Sequence, residues 1–276
     1  MPNTELKKQL QRIKESPKGK KTAVFFDFDG TVIDGLSASV FLKKLVKERK
    51  LNRSDYLQLI TFSMIDQPTK ADFENLLDCC FRQWKNLPEE EVRQLWQRLF
   101  VQTIAARIFP EIADIINAHI QQGHRLVFAS AAFAYQIEPT AAEFGITEIL
   151  ATQAEVENGV LTGKLSGDSL WGSGKAKAVE DFLKQEKLSA KRAFAYANGD
   201  EDIDFLSVVG IPTAVNADKH LSAFAERNGW PQLKFKTRKK VSLADKLRTI
   251  ASDAAMASTL ALSATAHRAG MPKRTA

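Results

Sequence analysis

The sequence has little of what characterises secreted, membrane-spanning or fibrous proteins. Two cysteines occur in 276 residues, and they are adjacent (Cys79 and Cys80) in a predicted helix, where they are poorly placed for a disulfide or a metal site. No run of 18 apolar residues is present, which excludes a helix that spans a membrane. The 14 glycines and 9 prolines have no period, and 44% of the residues are hydrophobic, so a fibrous repeat and a wholly disordered chain are also excluded. The polar N-terminal residues do not resemble a signal peptide, and we expect a reduced, cytoplasmic protein.

Positive charge is scarce in the central part of the chain. Residues 1–21 carry seven Lys/Arg against two Glu, and residues 232–276 carry ten against two Asp, whereas residues 22–231 carry 22 basic and 29 acidic residues. Nucleic-acid enzymes usually carry positive charge on the body of the protein, so no nucleic-acid partner is expected. The two basic arms are either solvated tails or contacts with an anionic surface.

The C-terminal tail, residues 236–276, has a second feature. Four basic residues precede four apolar residues at about helical intervals (Lys236, Arg238, Lys239 and Lys240, then Val241, Leu243, Leu247 and Ile250). A basic amphipathic helix of this kind could lie on a membrane surface, which would make the protein peripheral to the inner membrane. A helix docked on the body and plain disorder are the alternatives.

Helices alternate with short apolar strands over residues 22–36 and 108–235. Strands are predicted at 22–26, 125–129, 148–152, 192–196 and 211–215, with helices at 110–122, 134–144 and 174–187 between them. Asn158-Gly159 predicts a hairpin turn. This alternation is typical of an α/β fold with a Rossmann-like parallel sheet covered on both faces.

Residues 37–107 do not follow that alternation. Apolar residues recur there at helical spacing, and the segment interrupts the α/β pattern after its first strand. We therefore predict an α/β core (22–36 and 108–235) with an inserted helical cap (37–107), preceded by a basic arm (1–21) that begins with a short surface helix at 4–15.

Polar residues follow three of the predicted strands. These are Asp27 and Asp29 after the first strand, Ser130 after the second and Asp200 after a later one, while Lys175 lies near the start of a helix. Because ligands of open parallel sheets bind beyond the carboxyl ends of the strands, we expect these side chains to share one site.

Asp27 and Asp29 are two residues apart and would face the same side of an extended segment. Like charges so close raise each other's pKa, which favours a divalent cation or a division of roles between the two acids. A carboxylate can also attack phosphorus and form an aspartyl-phosphate. Gly30 permits a tight turn and a close approach of a phosphate to backbone N–H groups, and Thr31 adds a hydroxyl.

The segment Asp27-Phe-Asp-Gly-Thr-Val resembles the first motif of the haloacid dehalogenase-like (HAD) phosphohydrolases. Val127-Phe-Ala-Ser130 is similar to their second motif, Lys175 to their third and Gly199-Asp200-Glu-Asp-Ile-Asp204 to their fourth. The motifs occur in the family's order, and the helical insert resembles the cap of the phosphoserine-phosphatase-like subgroup. Lys177 is a rival for the third motif, but it would face a different side of the helix.

The resemblance implies roles for the matched residues. Asp27 would be the nucleophile, Asp29 the general acid and base, and Ser130 and Lys175 would bind the phosphoryl group together with the loop at Gly30 and Thr31. It also implies Mg²⁺ as cofactor, bound by Asp27, the main-chain carbonyl of Asp29 and Asp200, with Asp204 or Glu201 in support. Mg²⁺ prefers such oxygen ligands.

One departure from the subgroup bears on the substrate. Phosphoserine phosphatases carry a Glu a few residues after the first motif, where it meets the substrate's amino group, and the corresponding residue here is Leu36. An apolar side chain cannot bind an ammonium group, so we expect low turnover of phosphoserine. Arg53 and Arg82 in the cap are candidate substrate contacts.

The sequence thus predicts a Mg²⁺-dependent phosphomonoesterase that hydrolyses a small phosphorylated metabolite through an aspartyl-phosphate. Alternatives using the same residues are a lipid-phosphate phosphatase at the membrane surface, a phosphotransferase and a receiver-like phospho-acceptor. A scaffold that keeps only the fold is a further alternative. Asp29 argues against a receiver, because a second acid favours turnover of the phosphoryl group. The oligomeric state is left open.

Overall fold

The computed structural model describes residues 4–48, 54, 55, 57, 65 and 69–235. Its strands are β1 (Ala23–Phe26), β2 (Arg125–Phe133), β3 (Glu148–Thr152), β4 (Ala154–Glu157), β5 (Val160–Leu165), β6 (Phe194–Ala197), β7 (Ile211–Val215) and β8 (Gln232–Leu233). Its helices are α1 (Thr4–Glu15), α2 (Ser37–Lys47), α3 (Lys70–Trp84), α4 (Glu89–Leu99), α5 (Pro110–Gln121), α6 (Ala134–Glu143), α7 (Ser173–Gln185), α8 (Ile203–Val208) and α9 (Lys219–Arg227).

Six strands form one parallel sheet in the order β3-β2-β1-β6-β7-β8. Both faces are buried, since Phe26 and Phe128 belong to one apolar cluster and Phe25 and Val127 to the other. The first cluster is completed by α1, α5, α6 and the cap, and the second by α7, α8 and α9. The predicted α/β class and parallel sheet are confirmed.

Helix α1 packs on the body of the protein. Ile13 is fully buried, and the buried Gln9 donates from Nε2 to the Tyr196 hydroxyl at 2.8 Å. The predicted helix at 4–15 is therefore present, but the interpretation of the basic arm as a solvated tail is wrong for its described part. The lysines of α1 remain exposed on the opposite face of the helix.

The inserted segment is helical in its described part. Helices α2, α3 and α4 bring Phe41, Trp84 and Trp96 together, with ring centroids 5.5 and 5.7 Å from Phe41. These rings belong to the same apolar cluster as Phe26 and Phe128 of the sheet, so the cap and the core share buried contacts. Arg53 lies outside the described residues.

The hairpin predicted at Asn158-Gly159 joins β4 to β5. Both turn residues have positive φ (52° and 77°), as a two-residue hairpin turn of type I′ requires. The hairpin pairs with the cap, because Asn86 N donates to Leu161 O and Leu161 N donates to Leu87 O, each at 2.9 Å. The range predicted as core, 108–235, thus includes a hairpin that is hydrogen-bonded to the cap.

None of the described helices is long and apolar enough to cross a membrane. The C-terminal segment for which a membrane contact was considered, residues 236–276, lies outside the described residues.

Candidate active site

Asp27 is the first residue after β1 and lies at the centre of the sheet. Its backbone N–H donates to Tyr196 O of the neighbouring β6 at 2.9 Å, which fixes the main chain, and its side chain is 4% exposed. Lys175 Nζ lies 2.8 Å from Asp27 Oδ1. A buried carboxylate is thus held in one orientation by a lysine.

The loop after Asp27 is tightly wound. Gly30 has a φ of 80°, and a Cβ atom there would lie 2.4 Å from the side-chain amide of Asn198, so glycine is required for both conformation and space. The Thr31 hydroxyl lies 3.1 Å from Asp27 Oδ2 and 3.0 Å from Asn198 Oδ1. This loop therefore joins the ends of β1 and β6.

Asp29 is held by the first residue of the cap. Ser37 donates to its carboxylate from the backbone N–H at 2.7 Å and from the hydroxyl at 3.0 Å. Gln136 Nε2 donates in turn to the Ser37 hydroxyl at 2.6 Å, and Gln136 Oε1 accepts from Phe133 N at 2.7 Å. Because Ser37 begins α2 and Gln136 lies in α6, Asp29 is fixed by both the cap and the core.

Lys175 lies near the start of α7 and is 2% exposed. Besides Asp27, its ammonium group binds the Asp202 carboxylate, and these two charges raise the pKa of Lys175 despite its burial. Lys177 is exposed and pairs with Asp181 on the same helix. The geometry thus brings Lys175, and not Lys177, to the carboxylates.

Ser130 lies on β2, which continues to Phe133 rather than ending at the serine as the sequence indicated. The register with β3 shifts between Ser130 and Phe133, and Ala132 N donates to the Ser130 hydroxyl at 3.3 Å. The side chain is buried and lines the same cavity as Asp27 and Lys175.

The residues of the fourth motif that face the site come two positions earlier in the chain than predicted, at Asn198 and Asp202 and not at Asp200 and Asp204. Strand β6 ends at Ala197, so Asn198 occupies the strand end and contacts the Gly30–Thr31 loop. Asp202 is 1% exposed and bonded to Lys175, whereas Asp204 is exposed on α8 and does not line the cavity. The inclusion of Asp204 among the metal ligands is therefore not supported, and Asp202 is the acid that the fold places beside the lysine.

Asp200 belongs to a second group of acids. Carboxylate oxygens of Asp200, Glu201 and Asp218 lie within 4.8 Å of one another, and Asp218 Oδ2 accepts from Asp200 N at 2.7 Å. Of the three, Glu201 also lines the cavity. It is thus the acid that links this outer group to Asp27 and Asp202.

The site is rich in negative charge. Burial and the charge of Asp27 raise the pKa of Asp29 to about 7, against the opposing effect of the Ser37 hydrogen bonds. Burial also raises the pKa of Asp202 to about 6, although Lys175 opposes it, and burial and the charge of Asp202 raise that of Glu201 to about 9. Four carboxyl groups therefore lie close together around Lys175, which is the one lysine in the described lining of the cavity: Asp27, Asp29, Glu201 and Asp202.

This charge pattern fits a divalent cation. Asp202 Oδ2 is buried and has no hydrogen-bond partner among the described residues, which is costly for a carboxylate unless a cation binds it. Carboxylate and amide oxygens are ligands that Mg²⁺ prefers, and Asp27 and Asn198 supply them at the ends of the adjacent strands β1 and β6, with Asp202 in the turn that follows.

A cavity of about 120 Å³ extends from these residues between the cap and the core. Leu36, Phe41, Trp84 and Trp96 line it on the cap side. Arg82, proposed as a substrate contact, does not line it and instead pairs with the buried Asp55, with Nη2 2.7 Å from Oδ1.

Four residues of the site were not predicted from the sequence: Asn198, Asp202, Ser37 and Gln136. The first two carried a signal, because Asn198 directly follows an apolar strand and the spacing from Asn198 to Asp202 equals that from Asp200 to Asp204. Ser37 and Gln136 carried no such signal, since their contact joins segments 99 residues apart.

The chain is similar to known proteins over most of its length. Residues 24–207 match the family model described as haloacid dehalogenase-like hydrolase. A Mycobacterium tuberculosis protein described as a probable phosphatase is 32% identical over 256 residues, covering 91% of this chain and 87% of the relative. A phosphoserine phosphatase of the same organism is 29% identical, covering 83% and 76%. A solved phosphoserine phosphatase with a phospho-aspartyl intermediate analogue superposes with a TM-score of 0.55 at 20% identity, over 78% of this chain and 93% of that one, which supports the fold.

Proposed function

Because the chain belongs to the haloacid dehalogenase-like hydrolase family and is a phosphatase of that type, we propose that it hydrolyses small phosphomonoesters through an aspartyl-phosphate at Asp27. The observation that carries the proposal is the contrast between two acids two residues apart. Asp27 is bonded to Lys175, while burial raises the pKa of Asp29 to about 7. Acids in such different environments suit different roles in one reaction.

The first half-reaction uses this contrast. An oxygen of Asp27 attacks phosphorus, the bond from phosphorus to the leaving oxygen breaks, and protonated Asp29 gives its proton to that oxygen. Lys175 offsets the negative charge around the phosphoryl group, and the Ser130 hydroxyl donates a hydrogen bond to it. The alcohol leaves, and a phosphoryl group remains on Asp27.

The second half-reaction returns the site to its starting state. Asp29, now ionised, takes a proton from water, whose oxygen attacks phosphorus and displaces the Asp27 carboxylate. Inorganic phosphate is released, and Asp29 has regained its proton. A receiver-like function would need a stable phospho-aspartate, and the second acid, with its pKa near neutrality, acts against that stability.

Mg²⁺ would be held by oxygens of Asp27, the Asp29 main-chain carbonyl and the Asn198 side chain, with Asp202 and Glu201 nearby. This assignment replaces Asp204 and moves Asp200 to the outer acidic group. When bound, the ion would neutralise charge on the phosphoryl oxygens.

A phosphate-release assay across sugar, nucleotide, amino-acid, alkyl and aryl monoesters tests the proposal. Activity should require Mg²⁺ and be lost with EDTA and in Asp27→Asn, whereas Asp114→Asn, an exposed acid on α5, should leave it unchanged. Equal phosphate release by Asp27→Asn and the wild-type protein would refute the mechanism.

A further inference from the structure

We propose that the alcohol part of the substrate is apolar and uncharged, so that the enzyme acts on alkyl or aryl phosphates in preference to phosphates of amino alcohols. The inference rests on the proposed function, because it treats the cavity beside Asp27 as the substrate pocket.

The charges in the cavity lie together at one end. Among the described residues, the charged side chains of its lining are Asp27, Asp29, Lys175 and Glu201. Asp27, Asp29 and Lys175 have their partners within the phosphate site, as shown by the bonds between Lys175 and Asp27 and between Ser37 and Asp29. Glu201, the fourth of these residues, lies with Asp200 and Asp218 in the outer acidic group. Beyond these four residues, no described charged side chain lines the cavity, so its apolar part offers no described carboxylate to an ammonium group of a substrate.

Apart from Ser130, Gln136 and Asn198, the uncharged part of the described lining is apolar, and six of its residues are aromatic. Phe41, Trp84 and Trp96 come from the cap, and Phe133 follows Ser130 on β2, with its ring 5.1 Å from that of Trp84. All four side chains are at most 2% exposed, so close packing with their neighbours holds them in fixed positions. Such a wall favours hydrocarbon and penalises an unpaired charge.

A second aromatic pair joins the cap to the core at the same cavity. Phe73 of α3 stacks on Trp171, which precedes α7, with centroids 4.3 Å apart and an angle of 28° between the rings. Ser169 donates from its hydroxyl to Glu74 at 2.9 Å beside this stack, so the contact between cap and core is fixed here. The apolar lining thus continues from the cap to the residues next to Lys175.

The volume of the cavity limits the size of the alcohol part of the substrate. One water needs on the order of 10–15 Å³ of such space, so the cavity of about 120 Å³ accommodates roughly ten water-sized bodies. A phosphate group takes about half of them, which leaves space for a chain or ring of roughly four to six carbon atoms.

Phosphonates test this inference without turnover, because their C–P bond resists hydrolysis. Calorimetric titration of the wild-type protein with Mg²⁺ compares propylphosphonate with 2-aminoethylphosphonate, which differ in a methyl against an ammonium group, and with hexylphosphonate. We expect propylphosphonate to bind at least about tenfold more tightly than its amino counterpart, and hexylphosphonate to bind more tightly again, by up to about fourfold per added methylene. Equal or tighter binding of the amino compound, no gain with chain length, or no binding at millimolar concentrations would each overturn the inference.

Leu36 provides a matched pair of variants. Leu36→Glu places a carboxylate in the apolar part of the cavity, while Leu36→Gln has nearly the same shape without the charge. The ratio of propyl- to aminoethylphosphonate affinity should fall at least about tenfold in Leu36→Glu and stay within about threefold in Leu36→Gln. The same fall in both variants would contradict the assignment of the pocket.

Hydrolysis of hexyl phosphate and phosphoethanolamine, measured in parallel, separates the two proposals. Selective binding of hexylphosphonate without hydrolysis of any ester would refute the proposed function and keep the pocket assignment. Hydrolysis without the expected selectivity would refute the pocket assignment alone.

Discussion

Asp27 and Asp29 show how two identical side chains acquire different properties from their neighbours. Asp27 accepts a charge-assisted hydrogen bond from Lys175, which holds its carboxylate in one orientation. Asp29 lies beside that negative charge in a buried position, and its pKa of about 7 lets it hold a proton at neutral pH and release it. The two acids thus differ in role because they lie two residues apart on one loop and have different neighbours.

Ser37 is expected to tune Asp29. Ser37→Ala removes one of two hydrogen bonds to the Asp29 carboxylate, which should raise the pKa of Asp29 further and lower kcat by roughly tenfold with little change in KM. Ser39→Ala is the matched control, because its hydroxyl is buried in the same helix but donates to Leu36 O. Steady-state kinetics of both variants would decide, and equal effects would show that Ser37 acts through the cap's stability rather than through Asp29.

The revised position of the fourth motif gives a direct comparison of two acids. Asp202→Asn should lower kcat/KM on the order of 100-fold, because it weakens the contact with Lys175 and removes a negative charge from beside the proposed Mg²⁺ ligands. Asp204→Asn, two residues further on, should stay within about twofold of the wild type, as exposed substitutions usually do. A larger loss in Asp204→Asn than in Asp202→Asn would restore the original assignment.

At the scale of elements, α1 is an integral part of the fold. Ile13 is fully buried against the sheet, so Ile13→Ala should lower the free energy of unfolding by about 2–4 kcal/mol. Lys14→Ala, at the exposed neighbouring position, should change it by less than about 0.5 kcal/mol. Denaturant unfolding of the two variants gives the comparison, and a loss below 0.5 kcal/mol for Ile13→Ala would mean that α1 does not contribute to stability.

The elements also show what a sequence can and cannot predict. Strands β1, β3, β6 and β7, the hairpin turn and the strand-end acid Asp27 were predictable, because apolar runs and Asn-Gly turns are local signals. The packing of α1 was not, since Gln9 meets Tyr196 across 187 residues. The fourth motif was misplaced because Asp200, Asp202 and Asp204 alternate along the chain, and the short 3₁₀ turn at Asp200–Asp202 decides which of them faces Lys175.

At the scale of the whole molecule, a buried polar chain ties α1 and α5 to the sheet on the side opposite α7. His119 lies 2.8 Å from both the His124 Nδ1 and the Tyr196 hydroxyl, and His124 Nε2 lies 3.1 Å from Pro17 O. Burial lowers the pKa of both histidines, so both are neutral in this network.

This network predicts the sign of a pH effect on stability. Above the unfolded pKa of about 6.5 the histidines are neutral in both the folded and the unfolded state, so the stabilisation by the network is fully present. As the pH falls below about 6.5, the unfolded chain binds protons that the folded chain does not. The free energy of unfolding then declines by up to about 1.4 kcal/mol per pH unit for each histidine. Asp29 acts in the opposite direction, because its raised pKa adds stability as pH falls through about 7.

NMR titration of the imidazole nitrogens separates these contributions. His119 and His124 should stay neutral at pH values at which the histidines of the urea-unfolded chain are protonated, near and below about 6.5. Protonation of both at the unfolded chain's pKa would show that the network does not exclude charge.

The proposed mechanism depends most on a covalent phosphoryl group at Asp27. Rapid acid quench of the wild-type enzyme during turnover of hexyl phosphate with Mg²⁺, followed by peptide mass spectrometry, measures it directly. We predict one phosphoryl group, removable by hydroxylamine, on the peptide that contains Asp27, and none in Asp27→Asn. Turnover with the phosphoryl group on another residue, such as Ser130, or turnover by Asp27→Asn at the wild-type rate, would contradict the mechanism.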